Sequence, residues 1–396
     1  MSGLLEKIIH FVKYCYLEII VLSLFVVDAC SFYVDRCIGL AEEDRFSFVF
    51  RAIVEVILIL IICFKRLYNR YILCMFALVS FPLIWLLLAS FFNGEYSYNT
   101  FNTFQIIKES NKYIFPVIVY WGFSVSESRY KLLIFELIYI LSAVVVIFAF
   151  LLDIPLFYTY GLSRFGYKPM ILAHNEITLF WMVGIIYYLK KVFETYSLLN
   201  LICCIIVTLG AFLLGTKGML LFLLVLSFWL IIFVNRMSVL KKMFIIGFIL
   251  VLCCLFFMYS GIFDFFNGIY KTDGFLYSLS SMRTELVSAR VIPTIYNWRW
   301  YNYLIGGYFL KLPIAEMDLI DLFVFYGAIG FILYFILMFK TIFSFNKSNY
   351  LAWFFVIMYV VIGGMAGHFF TSGTNAVYLA VLCSFLQKDK EILNIK

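Results

Sequence analysis

Residues 283–309 read RTELVSARVIPTIYNWRWYNYLIGGYF. Arg283, Arg290 and Arg299 stand close together there, among aromatics and ahead of Gly306 and Gly307, in a chain that is 65% hydrophobic and 13% charged. An arginine at the centre of a spanning helix costs about 2.5–3.5 kcal/mol. Three of them place this stretch outside hydrocarbon, whereas the sequence around it belongs inside. That division of solvents decides the fold.

The 396 residues carry a mean hydropathy of +1.02. Ordinary soluble domains hold about 25% charged residues. Apolar runs recur at close to the ~20 residues that cross ~30 Å of hydrocarbon as a helix. The expected fold is all-α: one polytopic integral membrane helical bundle over 1–396, with about twelve spans. They fall near 14–34, 47–64, 71–92, 105–125, 132–152, 170–189, 197–214, 219–235, 243–261, 318–339, 350–367 and 374–387. The fourth, holding Lys108, Glu109 and Lys112, is the weakest and fits a helix that starts on the surface. MSGLLEKIIHFVKYCYLEII enters its apolar run without a small-residue cleavage site, as a retained first span would.

Short loops set the orientation. Lys65, Arg66 and Arg70, then Arg129 and Lys131, Lys190 and Lys191, Arg236, Lys241 and Lys242, Lys340 and Lys347, and finally Lys388 and Lys390 share a side with Lys7 and Lys13. The positive-inside rule makes that side cytoplasmic, with both termini there. The alternate loop DRCIGLAEEDR is acidic overall. Two long loops, 153–173 and 262–317, then lie on the outer face. Loops beyond ~12–15 residues are usually functional or disordered. The larger is rich in Tyr, Trp and Arg with two prolines, which argues for a lid or short surface helices.

The net charge of +7 is scattered between apolar runs, so it reports orientation and argues against nucleic acid. None of the ten cysteines has metal-ligand spacing to a histidine. Neither a disulfide nor a metal is expected.

Four clusters are candidates for chemistry. At the outer interface, Arg283, Arg290 and Arg299 can reach an anionic ligand with the planar fork that matches phosphate oxygens. They can equally anchor the loop beside its tryptophans. Helical spacing aligns the three only if the helix continues through Pro293. In GLSRFGYKPMILAHNE, residues 161–176, Arg164 and Lys168 precede His174, Asn175 and Glu176, which can also be read as loop caps and a solvated helix start. In AEMDLIDLFVFYGAIGF, residues 315–331, Glu316, Asp318 and Asp321 suit a helix dipole and are also placed to take a proton from a hydroxyl. In GHFFTSGTNA, residues 367–376, His368 is either structural or a base near neutral pH. Asp28, Glu55 and Glu136 inside apolar runs call for snorkelling or for a partner such as Arg51.

GTKGMLLFLLVLSFWLIIF (215–233), IGGYFLKLPIAEMDLIDLFVFYGAIGFILYF (305–335) and AGHFFTSGTNAVYLAVLCSF (366–385), in that order, resemble the bacterial O-antigen polymerases, within the O-antigen ligase-like membrane glycosyltransferases. The resemblance implies a multi-pass enzyme of the bacterial inner membrane with a periplasmic active site. It implies oligosaccharide repeat units on undecaprenyl diphosphate as both donor and acceptor. Undecaprenyl diphosphate is the leaving group, membrane lipids surround the enzyme, and a chain-length regulator is a conceivable partner. No cofactor is implied. By position, Arg164, Arg283, Arg290 and Arg299 would be diphosphate ligands; His368, Glu316 and, behind them, His174 would be base candidates. Asn297 and Trp298 stand where a ligase-type histidine belongs, which weighs against an O-antigen ligase transferring glycan to lipid A core. A lipid-linked oligosaccharide flippase or other transporter would place polar residues near the bilayer midplane in matched halves. Here they crowd the outer face.

Overall fold

The computed structural model describes residues 2–39, 46–64, 71–93, 100–124, 132–160, 164–171, 174–195, 197–233, 261–274, 283–307 and 315–387, with single positions at 240, 258 and 277. Most of these residues are helical, and among them no strand forms; the one ladder contact is an antiparallel bridge between Tyr158 and Tyr167. Most of the expected ninth span and the loop cations Lys65, Arg66, Arg70, Arg129, Lys131, Arg236, Lys241, Lys242, Lys388 and Lys390 lie outside the described residues.

The helices are α1 (Ser2–Ile38), α2 (Phe46–Phe64), α3 (Ile72–Asn93), α4 (Thr100–Ser124), α5 (Leu133–Leu151), α6 (His174–Thr195), α7 (Leu198–Phe212), α8 (Lys217–Phe233), α9 (Ile262–Asp273), α10 (Arg283–Leu286), α11 (Ile292–Tyr296), α12 (Trp300–Ile305), α13 (Asp318–Lys340), α14 (Tyr350–Ala366) and α15 (Gly373–Gln387). Three stretches are long and apolar enough to cross a membrane: Tyr16–Cys37, Leu133–Leu151 and Asp318–Lys340, at 22, 19 and 23 residues. Shorter apolar helices accompany them, α7, α8, α14 and α15 among these. The fourth expected span forms one unbroken helix, α4, of 25 residues with Pro116 inside. The stretch 283–296 is also helical throughout: a π-turn over Val287–Val291 joins α10 to α11, which contains Pro293.

The chain divides into two compact units, Met1–Ile138 with Glu285–Lys396, and Tyr139–Thr284. In the first unit α15 packs on α1 and α4, and it is buried on every side, as a helix apolar all round should be. Gly122 lets α4 approach Leu58 of α2, where a Cβ would stand 2.5 Å from the leucine side chain. Two of the acids within apolar runs, Asp28 and Glu55, have partners. Arg51 Nη2 lies 3.3 Å from Asp28 and also donates to Thr374 Oγ1, and Asn111 Nδ2 donates to Glu55 at 2.7 Å. Pairing of the Arg51 and Asp28 charges removes part of the burial penalty of each.

The helix α13 is broken at Gly327, whose φ of 64° and ψ of −172° leave the helical region. The chain following α12 docks into that break: the Gly307 N–H donates to the Val324 carbonyl at 3.0 Å, and Trp298 Nε1 donates to the Gly307 carbonyl at 2.8 Å. Val291, Trp298, Ala315 and Val324 form a buried cluster around this joint. The second unit is a sheaf of α6, α7 and α8 with the C-terminal part of α5. Tyr139 stacks on Phe180 at 4.3 Å, and Gly210 admits the close approach of Ala143 and Trp181.

Candidate functional site

Two short turns in the second unit build a cationic site. The loop after α5 folds back on itself through the Tyr158–Tyr167 bridge and the Thr159 N–H to Gly166 carbonyl bond of 2.8 Å. It is pinned to the turn between α7 and α8 by the Tyr167 N–H, which donates to the Leu213 carbonyl at 2.8 Å. Glycines make this possible: a Cβ on Gly166 would stand 2.6 Å from the Leu214 carbonyl, and one on Gly215, at φ 69°, 2.5 Å from the Phe165 carbonyl. The Gly215–Gly218 turn then launches α8. Thr216 Oγ1 accepts from the Met219 N–H at 3.3 Å and bonds Thr178 Oγ1 at 3.0 Å, so Lys217 leaves the turn in a fixed direction.

The result is a meeting of side chains distant in sequence. The Arg164 guanidinium carbon sits 3.4 Å over the Tyr160 ring. Burial, opposed by the Tyr160 phenol, lowers the Arg164 pKa. The Tyr160 phenol is raised by burial and pulled back by Arg164 and Arg283. Lys217, ahead of the apolar run at 219–235, is lowered to about 8 by burial and then by the charges of Arg164 and Arg283. Arg164 and Arg283 therefore act on the Tyr160 phenol, and both also act on Lys217. Like charges held together are unfavourable alone and are what an anion with several oxygens requires. Two of the four arginines expected from sequence, Arg164 and Arg283, are thereby brought together. Lys217 was not among the expected ligands, although its GTKG turn was conspicuous; the missing signal was that the turn is pinned to the loop bearing Arg164.

Arg290 and Arg299 belong to the first unit, and both are exposed. Lys168 is buried at 1% exposure. The backbone of His174 opens α6, but its side chain lies outside the described residues. Glu316 and His368 are half-buried in the first unit and occupy adjoining turns, since Gly367 packs on the Glu316 backbone. Both adopt left-handed backbone, at φ 56° and 66°, a conformation that costs about 1–3 kcal/mol for such residues. Asp318 holds the arrangement. Its carboxylate, 3% exposed, accepts the N–H groups of His368, Phe369 and Phe370 at 2.6, 2.6 and 2.9 Å. Asp321 does the same for Ala315 and Met317, at 2.6 and 3.2 Å. Those two acids are tied up in backbone bonds, a role beyond the dipole effect read from sequence.

A pH response follows for the cationic site. An anion favours the charged form of Lys217, so binding is strongest while that amine is protonated in the free protein. Affinity for farnesyl diphosphate, whose last proton leaves near ~6 as in phosphomonoesters, is expected to hold between pH 7 and 7.5. It should then fall as pH rises through about 8. Lys217→Arg should abolish that decline without losing affinity, which calorimetric titration across pH measures. Compared with protein-family models and with curated proteins, the sequence gives no match.

Proposed function

We propose that this chain is a glycan polymerase of the bacterial inner membrane. It joins undecaprenyl-diphosphate-linked repeat units into O-antigen or a related surface polysaccharide. In this reading about twelve spans cross the bilayer, both termini are cytoplasmic, and the 153–173 and 262–317 segments face the periplasm. The observation that supports the reading is the electrostatic coupling of Lys217 to Arg164 and Arg283, outside the apolar runs, with Arg164 stacked on Tyr160.

The chemistry is a displacement at an anomeric carbon. An acceptor hydroxyl oxygen attacks that carbon while its bond to the diphosphate oxygen breaks. The electron pair leaves with undecaprenyl diphosphate, and the hydroxyl proton passes to a base. Negative charge grows on the departing diphosphate, so cations already in place lower the barrier without reorganising. Glu316 and His368 are the base candidates, with His174 behind them.

Deleting the gene tests the reading on lipopolysaccharide gels. Loss of the long-chain ladder with retention of a core bearing one repeat unit is expected. Loss of that single-unit band as well would indicate a flippase, and loss of all glycan from core despite intact polymer on the lipid carrier would indicate a ligase.

A further inference from the structure

We propose that the base of the 153–171 loop is a sugar subsite, in which Asp153 and Tyr158 bind the glycosyl ring next to the diphosphate. The inference rests on the diphosphate reading of Arg164, Lys217 and Arg283 and adds the recognition of what that diphosphate carries.

Asp153 ends α5 in the left-handed region, at φ 50°. The Ile154 N–H reaches back to the Ala149 carbonyl at 2.9 Å and the Asp153 N–H to Phe150 at 3.3 Å, the pattern of a helix stop in which glycine is the usual residue. A side chain there costs about 1–2 kcal/mol of backbone strain. The helix stop alone therefore argues for glycine. The carboxylate is nevertheless present, and it is held. Tyr158 and Tyr167 both donate their phenols to Oδ1 at 2.6 Å, which also keeps the acid ionised by lowering its pKa. The Tyr158 bond, which is exposed, returns little stability. Oδ2 accepts no hydrogen bond from the described residues, and Asp153 is exposed.

Around this fixed acceptor stands an aromatic cluster. Tyr158 meets Tyr167 edge-on at 5.3 Å, and Phe150, 41% exposed, meets Tyr167 and Phe165 edge-on at 5.6 and 5.9 Å. The negative face of an aromatic ring attracts the slightly positive C–H bonds of a pyranose. A carboxylate oxygen beside it accepts the ring's hydroxyls. Tyr158 has extended backbone, at ψ 131°, and lies two residues before Tyr160, at most about 7 Å along the chain. That interval suits a sugar attached to a phosphate held at Tyr160 and Arg164.

The test uses the full chain in lipid nanodiscs with citronellyl diphosphate and its glucosyl, galactosyl and N-acetylglucosaminyl esters, measured by calorimetry. At least one glycosyl ester is expected to bind about tenfold more tightly than the bare diphosphate. Asp153→Asn keeps an oxygen for the phenols but turns the outward acceptor into a donor. It should erase that gain and leave bare diphosphate binding and the unfolding temperature unchanged; Tyr158→Ala should also erase the gain. Asp153→Gly relieves the strain and should unfold no earlier than wild type while losing the gain. The sugar subsite is overturned if no ester outbinds bare diphosphate or if Asp153→Asn keeps the whole gain. Failure of bare diphosphate to bind the wild type would instead remove the diphosphate site, and this inference with it.

Discussion

Alanine at Arg164 or at Arg283 is expected to abolish long-chain polymer while single repeat units still reach the core. Removing one preorganised donor from a developing anion typically lowers turnover by about 100- to 1,000-fold. These two cations and Lys217 act on one field, so losing any of them weakens the site and leaves the others underused. Repetitive transfer magnifies the effect, because every added unit must pass the same slowed step. Arg164→Lys should recover part of the ladder only. It retains charge but loses the flat group that lies 3.4 Å over Tyr160 and the fork that grips two oxygens. Lipopolysaccharide gels read the outcome once immunoblots show equal protein in the membrane. A full-length ladder from both alanine variants would remove these side chains from the chemistry.

Much of the helical content was legible because the apolar runs are long and their breaks are charged. Long stretches such as Leu133–Leu151 and Asp318–Lys340 could not be anything but helices in lipid. The meeting of Arg164 with Arg283 was legible only as an expectation that both side chains would serve one anion. Nothing in the sequence reveals that the Tyr167 N–H is bonded to the Leu213 carbonyl, and that bond is what carries Lys217 to the pair. The backbone role of Asp318 was hidden for a similar reason. Its position at a helix start gives a sufficient local explanation, whereas its three partners lie some fifty residues later, in a turn whose shape depends on Gly367. Partners remote in sequence leave no periodicity, so closures of this kind are invisible until the chain is folded.

At Gly327 a single methyl group should do large damage to folding. Its φ of 64° disfavours any Cβ by about 1–2 kcal/mol. The added carbon would also stand 2.5 Å from the Ile305 nitrogen and the Leu304 carbonyl carbon, backbone that cannot swing aside as a side chain can. Overpacking of this kind costs about 1–3 kcal/mol more. Gly327→Ala is therefore expected to lower the unfolding temperature in detergent by on the order of 10 °C. Gly268→Ala in α9 supplies the contrast, since nothing lies within 4 Å of its Cβ position and the helix should gain about 0.5–1 kcal/mol. Equal thermal stability in the two variants would mean that the chain after α12 does not enter the break in α13. The consequence for activity runs through the same joint. Gly306 and Gly307 enter the helix at Val324 and Phe325, less than three turns beyond Glu316, so a displaced joint shifts the start of α13 and the Asp318 carboxylate that holds the His368 turn. Polymer length should consequently fall in Gly327→Ala even at temperatures where the protein stays folded.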